Sequence, residues 1–261
     1  MAHTAIVIPA RQGSSRFPNK PLALILEKTL LYRTWRIAKA VGSIDEVFIS
    51  TDDSEIQKHA ESFGAQVILT HGDYKNGTER VLAALKKVQK KPELIVNLQG
   101  DAVLTPPWVI QEVVDQTLRD SSIEIATPAI HLNWNQYQDF LKFKRKNSSS
   151  GTLVVFDRNK NALYFSKTII PFLRTKTQDF FPIYRHIGLY AYRYEALNQY
   201  SHLNPTPLET AEQLEQLRAL ENGLKIRVIE VDYRGRTHWS IDYPEDIQIA
   251  ENLILKEGEL I

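Results

Sequence analysis

A cluster of cationic and small polar residues follows the first apolar segment of the chain and has the composition of a phosphate-binding loop. Arg11, Arg16 and Lys20 lie in this loop, with Gly13 and Ser14 between them. Glycine allows close backbone approach and N–H donation to an anion, as in the nucleotide sites of α/β proteins. The motifs G-x-x-x-x-G-K-[ST] and G-x-G-x-x-G are both absent. Three cations beside one strand end favour anion binding over the alternative, a surface loop with solvated charges.

Two aspartates are candidate ligands of a divalent cation. Asp101 follows the apolar segment 93–99 through Gly100, where a central strand is predicted to end. Asp242 lies between a strand-like segment and the proline that opens the last predicted helix. Ligands of open α/β sheets bind at the carboxyl ends of strands, and Mg²⁺ takes carboxylate, phosphate and water oxygens. The pair therefore predicts a Mg²⁺–nucleotide site, whereas either aspartate alone is equally consistent with a helix cap or a turn.

Residues 76–80, Asn-Gly-Thr-Glu-Arg, open a predicted helix whose N-terminal amides could hold a nucleotide base or phosphate. Asn76 could equally cap this helix without any ligand. His186 precedes an apolar segment, where a lone histidine is more often a hydrogen-bonded core residue than a general base. The sequence contains neither a nucleophile elbow nor a histidine-rich metal site. The chemistry is therefore expected at the cationic loop and the two aspartates.

Short apolar segments alternate with helical periodicity over residues 1–120, a pattern typical of βαβ units. It predicts one α/β domain over 1–261, with a mostly parallel central sheet flanked by helices. The second half is more antiparallel in character and predicts a smaller β-rich lobe inserted at about 131–205. We expect a loop at 133–150, one strand at 185–192 and one long helix at 208–223.

The composition is that of a soluble globular protein and narrows the classes of partner. Lys and Arg total 32 against 31 Asp and Glu among 261 residues, so no overall attraction to nucleic acid or to a membrane surface is expected. The absence of cysteine excludes disulfides, thiolate metal sites and a cysteine nucleophile. Because no signal peptide or bilayer-length apolar run is found, a cytoplasmic location is the expectation.

Eight motifs occur in a fixed order along nearly the whole chain. They are RQGSSRFPNKPLA, STDD, NGTER, NLQGD, ALYFSK, RHIGLYAY, PLETAEQLEQLRALENG and IDYPEDI. In this order they resemble the CMP-Kdo synthetases, which are 3-deoxy-manno-octulosonate (Kdo) cytidylyltransferases. The resemblance implies a nucleotide-diphospho-sugar transferase-like, Rossmann-like fold and Mg²⁺-dependent transfer of CMP from CTP to the anomeric hydroxyl of a sugar acid, with release of pyrophosphate. It also implies a homodimer and a role in lipopolysaccharide or other surface-glycan synthesis.

The resemblance further implies roles for individual residues. Arg11, Arg16 and Lys20 would bind the triphosphate, and Arg11 and Lys20 would act catalytically on the departing charge. Asp101 and Asp242 would be the catalytic metal ligands. The resemblance implies two further sets of residues, and Gln99 belongs to both. The nucleotide would be bound by Gly13, Ser14, Thr78, Arg80 and Gln99. The sugar acid would be bound by Gln99, Lys167, His186, Tyr190, Glu215 and Gln216.

The chain departs from the family pattern where the sugar acid is expected to bind. The changed positions are Ala102, Val103, Leu153, Lys167 and the pair His238-Trp239. They lead to the hypothesis that the acceptor is a Kdo variant, such as 8-amino-Kdo. Two alternatives stay open, namely an acceptor outside the ulosonic acids, for example a phosphonate, and a non-catalytic nucleotide-binding relative. The sequence also leaves open whether CTP is preferred over UTP.

Overall fold

In the computed structural model, residues 2–13, 16–72, 74, 76–146, 150–175 and 181–261 are described, and the main sheet within them is mixed. The strands are β1 (Thr4–Pro9), β2 (Leu24–Ile25), β3 (Lys28–Thr29), β4 (Glu46–Thr51), β5 (Gln66–Leu69), β6 (Leu94–Leu98), β7 (Ile125–His131), β8 (Leu153–Phe156), β9 (Ala162–Ser166), β10 (Tyr184–His186), β11 (Leu189–Arg193) and β12 (Ile226–Glu230). Their order is β5-β4-β1-β6-β11-β7-β10-β8-β9, with β12 also paired to β7, while β2 and β3 form a separate ribbon.

Helices cover both faces of the main sheet. Because successive side chains of a strand point to opposite faces, Ile6 and Ile8 of β1 enter one apolar cluster while Ala5 and Val7 enter another. Burial on both faces is what the continuous apolar segments of a parallel sheet predict. The helices are α1 (Leu30–Lys39), α2 (Ser54–Ser62), α3 (Gly77–Leu85), α4 (Pro107–Arg119), α5 (Trp134–Lys146), α6 (Tyr194–Ser201), α7 (Pro207–Glu212), α8 (Gln216–Glu221) and α9 (Asp246–Glu257).

The first half of the sheet is parallel and sets the position of the site. β1 pairs in parallel with both β4 and β6, and β4 pairs in parallel with β5. The carboxyl ends of these four strands therefore lie at one edge. The loop after β1, which holds the cations, and the turn after β6, which holds Asp101, consequently meet there.

The second half of the sheet is largely antiparallel. β11 runs antiparallel to β6, with Leu189 opposite Leu98, so the beginning of β11 lies at the edge where β6 ends. The strands β8, β9 and β10 continue the same sheet beyond β7. The predicted α/β fold, with helices flanking a central sheet whose core is mostly parallel, is confirmed, and the sheet as a whole is mixed. The division into a domain and an inserted lobe at 131–205 stays a prediction.

The loop expected at 133–150 was a wrong prediction over most of its length, because residues 134–146 form α5. The polar and basic composition of this segment concealed two aromatic residues at helical spacing. Tyr137 and Phe140 are both buried in a small apolar cluster that also contains Leu153. Packing of this face stabilises the helix in spite of its low average hydrophobicity. Residues 147–149 lie outside the described residues.

Two elements predicted as continuous are broken in the structure. The strand at 185–192 is interrupted between β10 and β11, where the N–H of Leu189 donates to the carbonyl of Ile187 at 2.7 Å in a tight turn. The helix at 208–223 is interrupted at Gln213, whose φ of 53° is left-handed. Buried Arg218 of α8 turns back to donate to Glu209 of α7 at 2.6 Å. Both breaks place polar residues at the cleft described next.

Candidate active site

A cleft of about 730 Å³ lies at the carboxyl edge of the parallel strands and extends between β10, β11 and the segment after β12. Most of the residues implied by the family resemblance line it together. They come from distant parts of the chain, so their assembly is a property of the fold. These lining residues are Arg16, Gln99, Asp101, Lys167, His186, Tyr190, Glu215, Gln216 and Asp242.

The turn that carries Asp101 is built by a close approach of two strand ends. A Cβ atom on Gly100 would lie 3.0 Å from the carbonyl oxygen of Pro9, so only glycine fits without a shift of the backbone. Thr34 of α1 donates to the Gly100 carbonyl at 3.0 Å. The Asp101 carboxylate accepts from Lys20 Nζ at 2.5 Å. The lysine predicted to bind phosphate therefore pairs with the aspartate predicted to bind the metal.

Asp242 lies in a turn that presents its carboxylate to the same cleft. Arg16 Nη1 is 3.6 Å from Asp242 Oδ1, and Ser240 Oγ donates to Oδ2 at 3.3 Å. Burial raises the pKa of Asp242, and the negative charge of Asp101 raises it further, while Lys20 and Arg16 act in the opposite direction. The two carboxylates are thus close enough to repel each other, which is the condition that a cation between them relieves.

The donor set fits a hydrated divalent cation. Asp101 and Asp242 offer carboxylate oxygens. Among the described residues there is no group of three or more acidic or histidine side chains that could by itself hold a metal ion. Mg²⁺ is usually held by one or two carboxylates together with phosphate oxygens and water. The pair therefore suits Mg²⁺ bound with a nucleotide better than a closed, all-protein metal site.

The other described residues of the cationic loop are accessible. Arg11 and Gly13 are exposed and do not line the cleft, and no atom of the described residues, apart from its chain neighbours, lies within 4 Å of a Cβ built on Gly13. Ser14 lies outside the described residues. Arg16 is 59% exposed and extends over the ring of Tyr243, 5.7 Å from its centroid. The loop thus offers accessible cations beside the aspartates, and its contact with a triphosphate stays a prediction.

Thr78 supports Glu215 beneath the cleft and is almost completely buried. Its hydroxyl donates to Glu215 Oε1 at 2.9 Å and accepts from Asn97 Nδ2 at 3.0 Å. Burial raises the pKa of Glu215 to about 7, although the bond from Thr78 acts to lower it. The hydroxyl of Tyr200 donates to the Glu215 carbonyl at 3.1 Å. The carboxyl at the α7–α8 break is therefore held in place and is about half protonated at pH 7.

Arg80 lies away from the cleft. Its guanidinium donates to Asp52 Oδ2 at 2.8 Å and to Thr70 Oγ1 at 3.1 Å, which joins the ends of β4 and β5. The ring of Tyr74 stacks on it at 5.0 Å. Arg80 is 5% exposed, so its described contacts are those of a residue that ties strand ends together. Its binding of the nucleotide stays a prediction.

The opposite wall of the cleft carries neutral hydrogen-bonding groups. Burial lowers the pKa of His186 to about 3, so this imidazole is uncharged at neutral pH. Thr127 Oγ1 donates to the carbonyl of Leu189 at 2.7 Å and is left to accept from His186 Nε2 at 2.9 Å. The hydroxyl of Tyr190 is buried and has no hydrogen-bond partner within the described part of the chain. A polar ligand in the cleft would satisfy that hydroxyl.

Lys167 projects from the end of β9 into the same cleft. Its backbone N–H donates to Glu212 Oε2 at 3.0 Å, and the neighbouring Ser166 donates to Glu212 Oε1 at 2.6 Å. Burial lowers the pKa of Lys167. The end of β9 is therefore fixed to α7, and the lysine is a partly dehydrated cation facing the cleft.

Arg185 is a cleft residue that the sequence did not single out. Burial lowers the pKa of its guanidinium to about 10. Nη1 donates to the His238 carbonyl at 3.3 Å, the guanidinium lies over the ring of Phe140 at 5.4 Å, and Nε has no partner within the described residues. A partly buried cation with no carboxylate contact among the described residues is a candidate group for an acidic ligand. The sequence signal that could have identified Arg185 is its position next to His186, which was predicted to bind the sugar acid.

Known proteins are similar to this chain in sequence along almost its whole length. The profile of the cytidylyltransferase family matches residues 5–226. The 3-deoxy-manno-octulosonate cytidylyltransferase of Maricaulis maris is 48% identical over 255 residues, which cover 98% of each chain. The enzyme of the same name from Chlamydia pneumoniae is 42% identical over 252 residues, covering 95% of this chain and 92% of that one. The chain belongs to the 3-deoxy-manno-octulosonate cytidylyltransferase family.

A solved member of this family has the same fold. The structure of CMP:2-keto-3-deoxy-manno-octonic acid synthetase complexed with CTP superposes with a TM-score of 0.85 at 32% identity, covering 98% of this chain and all of that chain. This cytidylyltransferase is therefore an enzyme of the nucleotidyltransferase class. Within its described residues no helix has the length and apolar character required to cross a membrane.

The departures from the family pattern do not all reach the cleft. Leu153 is fully buried in the apolar cluster under α5, and Val103 is buried against α9 and its neighbours. Both were expected at the sugar-acid site, and for both that expectation was wrong, because their apolar side chains pack in the core. Ala102, Lys167 and Trp239 do line the cleft. Fewer of the departures line the cleft than the sequence suggested.

We predict that Glu215→Gln reduces the dependence of stability on pH. Because the pKa of Glu215 is raised from 4.5 to about 7, the folded state retains a proton that the unfolded state releases between these values. The free energy of unfolding therefore falls as the pH rises through this window, and the neutral amide removes that fall. Urea unfolding from pH 4.5 to 7.5 measures it, with Glu195→Gln at an exposed glutamate of α6 as the control. An unchanged pH dependence in Glu215→Gln would contradict the raised pKa.

Proposed function

We propose that this chain transfers CMP from CTP to the anomeric hydroxyl of Kdo, releasing pyrophosphate. The observation that carries the proposal is the pair Asp101 and Asp242, which face one cleft with cations on one side and a neutral hydrogen-bonding wall on the other. Full-length similarity to proteins named for this reaction, one of them solved with CTP, supports it. The proposed acceptor class is the 3-deoxy-manno-octulosonate type.

The cationic side would receive the triphosphate. Arg11, Arg16 and Lys20 lie on the loop after β1, and Lys20 already contacts the carboxylate of Asp101. As the bond to the α-phosphorus breaks, negative charge accumulates on the leaving pyrophosphate, and fixed cations next to it lower the barrier. The amides and small residues of this loop would add donors to the same anion. The loop thus acts on the departing group.

Asp101 and Asp242 would hold Mg²⁺ together with phosphate oxygens. When bound, the ion would lower the pKa of the attacking hydroxyl and neutralise phosphate charge. His186 is a poor base for this hydroxyl, because burial lowers its pKa to about 3. The two aspartates are therefore the residues on which turnover depends.

The other wall would bind the sugar acid. His186 and Tyr190 offer neutral hydrogen-bonding groups that suit sugar hydroxyls, and Glu215 offers a partly protonated carboxyl. Arg185 and Lys167 offer positive charge for a carboxylate. A site built to hydrogen-bond a hydroxyl discriminates strongly against ligands that lack it, because the buried groups are otherwise left unpaired. This wall would select the acceptor.

We predict that Asp101→Asn abolishes transfer while the fold is kept. The amide has the same shape but no charge, so metal binding and the contact with Lys20 both weaken. Pyrophosphate release with CTP, Mg²⁺ and Kdo is expected to fall at least roughly 10²-fold. Asp139→Asn is the matched control, since it removes an aspartate–lysine pair on the exposed surface of α5. Near-normal release by Asp101→Asn, with an unchanged melting temperature, would refute the assignment.

We predict that the acceptor must be a 3-deoxy-2-ulosonic acid. Pyrophosphate release measured with CTP and a panel of Kdo, 8-amino-Kdo and a small phosphonate is expected with the two sugar acids only. Higher kcat/KM for 8-amino-Kdo would support the altered-acceptor hypothesis, and equal turnover of both would remove it. Release with the phosphonate alone would favour a different cytidylyltransferase, and release with none would favour a non-catalytic relative. Replacing CTP with UTP in the same assay tests which nucleobase the site accepts.

We also propose a cytoplasmic homodimer that supplies an activated sugar acid for lipopolysaccharide or another surface glycan, without a nucleic-acid or membrane partner. The near-zero net charge supports the absence of those two partners. Leu163 on the edge strand β9 is 63% exposed, and Phe172 just beyond it is 89% exposed. Large apolar side chains exposed beside a sheet edge support a subunit contact there.

We predict that Phe172→Ser converts the dimer to a monomer. Loss of an aromatic side chain from the centre of an interface removes a disproportionate share of the binding free energy. Size-exclusion chromatography with light scattering measures the mass, and Leu255→Ser is the control because that leucine is 71% exposed on α9, a different element. A dimer that persists in Phe172→Ser and dissociates in Leu255→Ser would place the interface elsewhere.

A further inference from the structure

The indole of Trp239 connects the turn that carries Asp242 with helix α5. Its Nε1–H donates to the Asp246 carboxylate at 3.0 Å, and its ring meets Phe143 of α5 edge-on, with centroids 5.4 Å apart. The same carboxylate accepts the backbone N–H groups of Asp242 and Tyr243, each at 2.8 Å. One side chain thus contacts both the wall formed by α5 and the group that fixes the turn.

The two oxygens of Asp246 have different partners. Oδ1 accepts from the Trp239 indole, whereas Oδ2 accepts from the amides of Asp242 and Tyr243. The terminal torsion of an aspartate is soft, so a donor on Oδ1 limits its rotation and thereby aims Oδ2 at the turn. Hydrogen bonds to an ionised carboxylate are among the stronger ones in proteins. Without the indole, the carboxylate would be free to turn away from the two amides.

The position of the indole is itself determined by packing. Trp239 is partly buried against the apolar cluster that contains Ile241 and Ala250, and Phe143 closes its other side. Phe143 and Trp239 both line the cleft and a neighbouring cavity of about 890 Å³. The indole therefore forms part of the partition between the two cavities, and its orientation depends on both α5 and α9.

We propose that Trp239 is a positioning residue that, through Asp246, holds the Asp242 carboxylate in the orientation needed for transfer. The proposal rests on the proposed function for the role of Asp242. The relay of hydrogen bonds stands on its own contacts. It also gives a physical reason for one departure from the family pattern, the tryptophan at position 239. Through Asp246, this tryptophan acts on Asp242, which lies three residues further along the chain.

The test is Trp239→Phe, which keeps an aromatic ring against Phe143 and removes only the N–H donor. Trp108→Phe is the matched control, because the indole of Trp108 also donates to an oxygen, the Asp232 carbonyl at 3.0 Å, and does not line the cleft. Three quantities are measured on the full chain: amide hydrogen exchange at residues 242 and 243 by NMR, Mn²⁺ affinity in the presence of CTP by electron paramagnetic resonance, and kcat with KM for CTP and Kdo.

Trp239→Phe is expected to speed exchange at the two amides, to weaken Mn²⁺ binding, and to lower kcat about tenfold while both KM values change little. Trp108→Phe is expected to match the parent chain in all three. Unchanged exchange, Mn²⁺ affinity and kcat in Trp239→Phe would overturn the proposal. A higher KM for Kdo with unchanged kcat would also overturn it, since the indole would then be an acceptor contact.

Two further outcomes separate the inference from the proposed function. If the parent chain releases no pyrophosphate with any acceptor, the proposed function fails, and the exchange comparison still decides whether the relay exists. If Trp239→Phe does not fold, Asp246→Asn replaces it, because an amide can accept on one side only. Faster exchange at residues 242 and 243 with weaker Mn²⁺ binding supports the relay, and unchanged values refute it.

Discussion

The site depends on keeping two carboxylates close together in a partly dehydrated cleft. Burial and the charge of Asp101 both raise the pKa of Asp242, so the proximity of the two carboxylates costs free energy. Lys20 contacts Asp101 and Arg16 lies beside Asp242, and these cations offset part of that cost. On the proposed function, a cation and a triphosphate bound at these residues would relieve the remaining repulsion. A site preorganised in this way would need little rearrangement on binding them.

The meeting of the cationic loop with the turn that carries Asp101 could be predicted because its determinants are local. An apolar segment followed by a cationic loop, and another followed by Gly100 and Asp101, identify strand ends by composition alone. In a parallel sheet the carboxyl ends of neighbouring strands share one edge, so the meeting of these two loops follows from the fold class. The composition does not predict the contact between Lys20 and Asp101, because that contact depends on the register of β1 against β6.

The opposite wall of the cleft, where we propose that the sugar acid binds, was harder to predict because it is built where a strand and a helix are interrupted. Neither the turn at Ile187 nor the left-handed Gln213 is required by the local sequence, yet each presents cleft residues. α5 was missed because its average composition is polar although Tyr137 and Phe140 are buried. Leu153 was assigned to the site from a motif and proved to be core. In each case tertiary packing outweighed the local pattern.

The position of β11 has a consequence for how the chain reaches this state. β11 lies between β6 and β7, although residues 99–188 separate it from β6 in the sequence. Until β11 has been synthesised and docked, β6 presents an unpaired edge whose five residues are all buried in the finished protein. Unpaired apolar edges are where chains mispair and aggregate. β11 therefore both completes the candidate cleft and covers the free edge of β6. A molecule in which the cleft is still incomplete also exposes that edge.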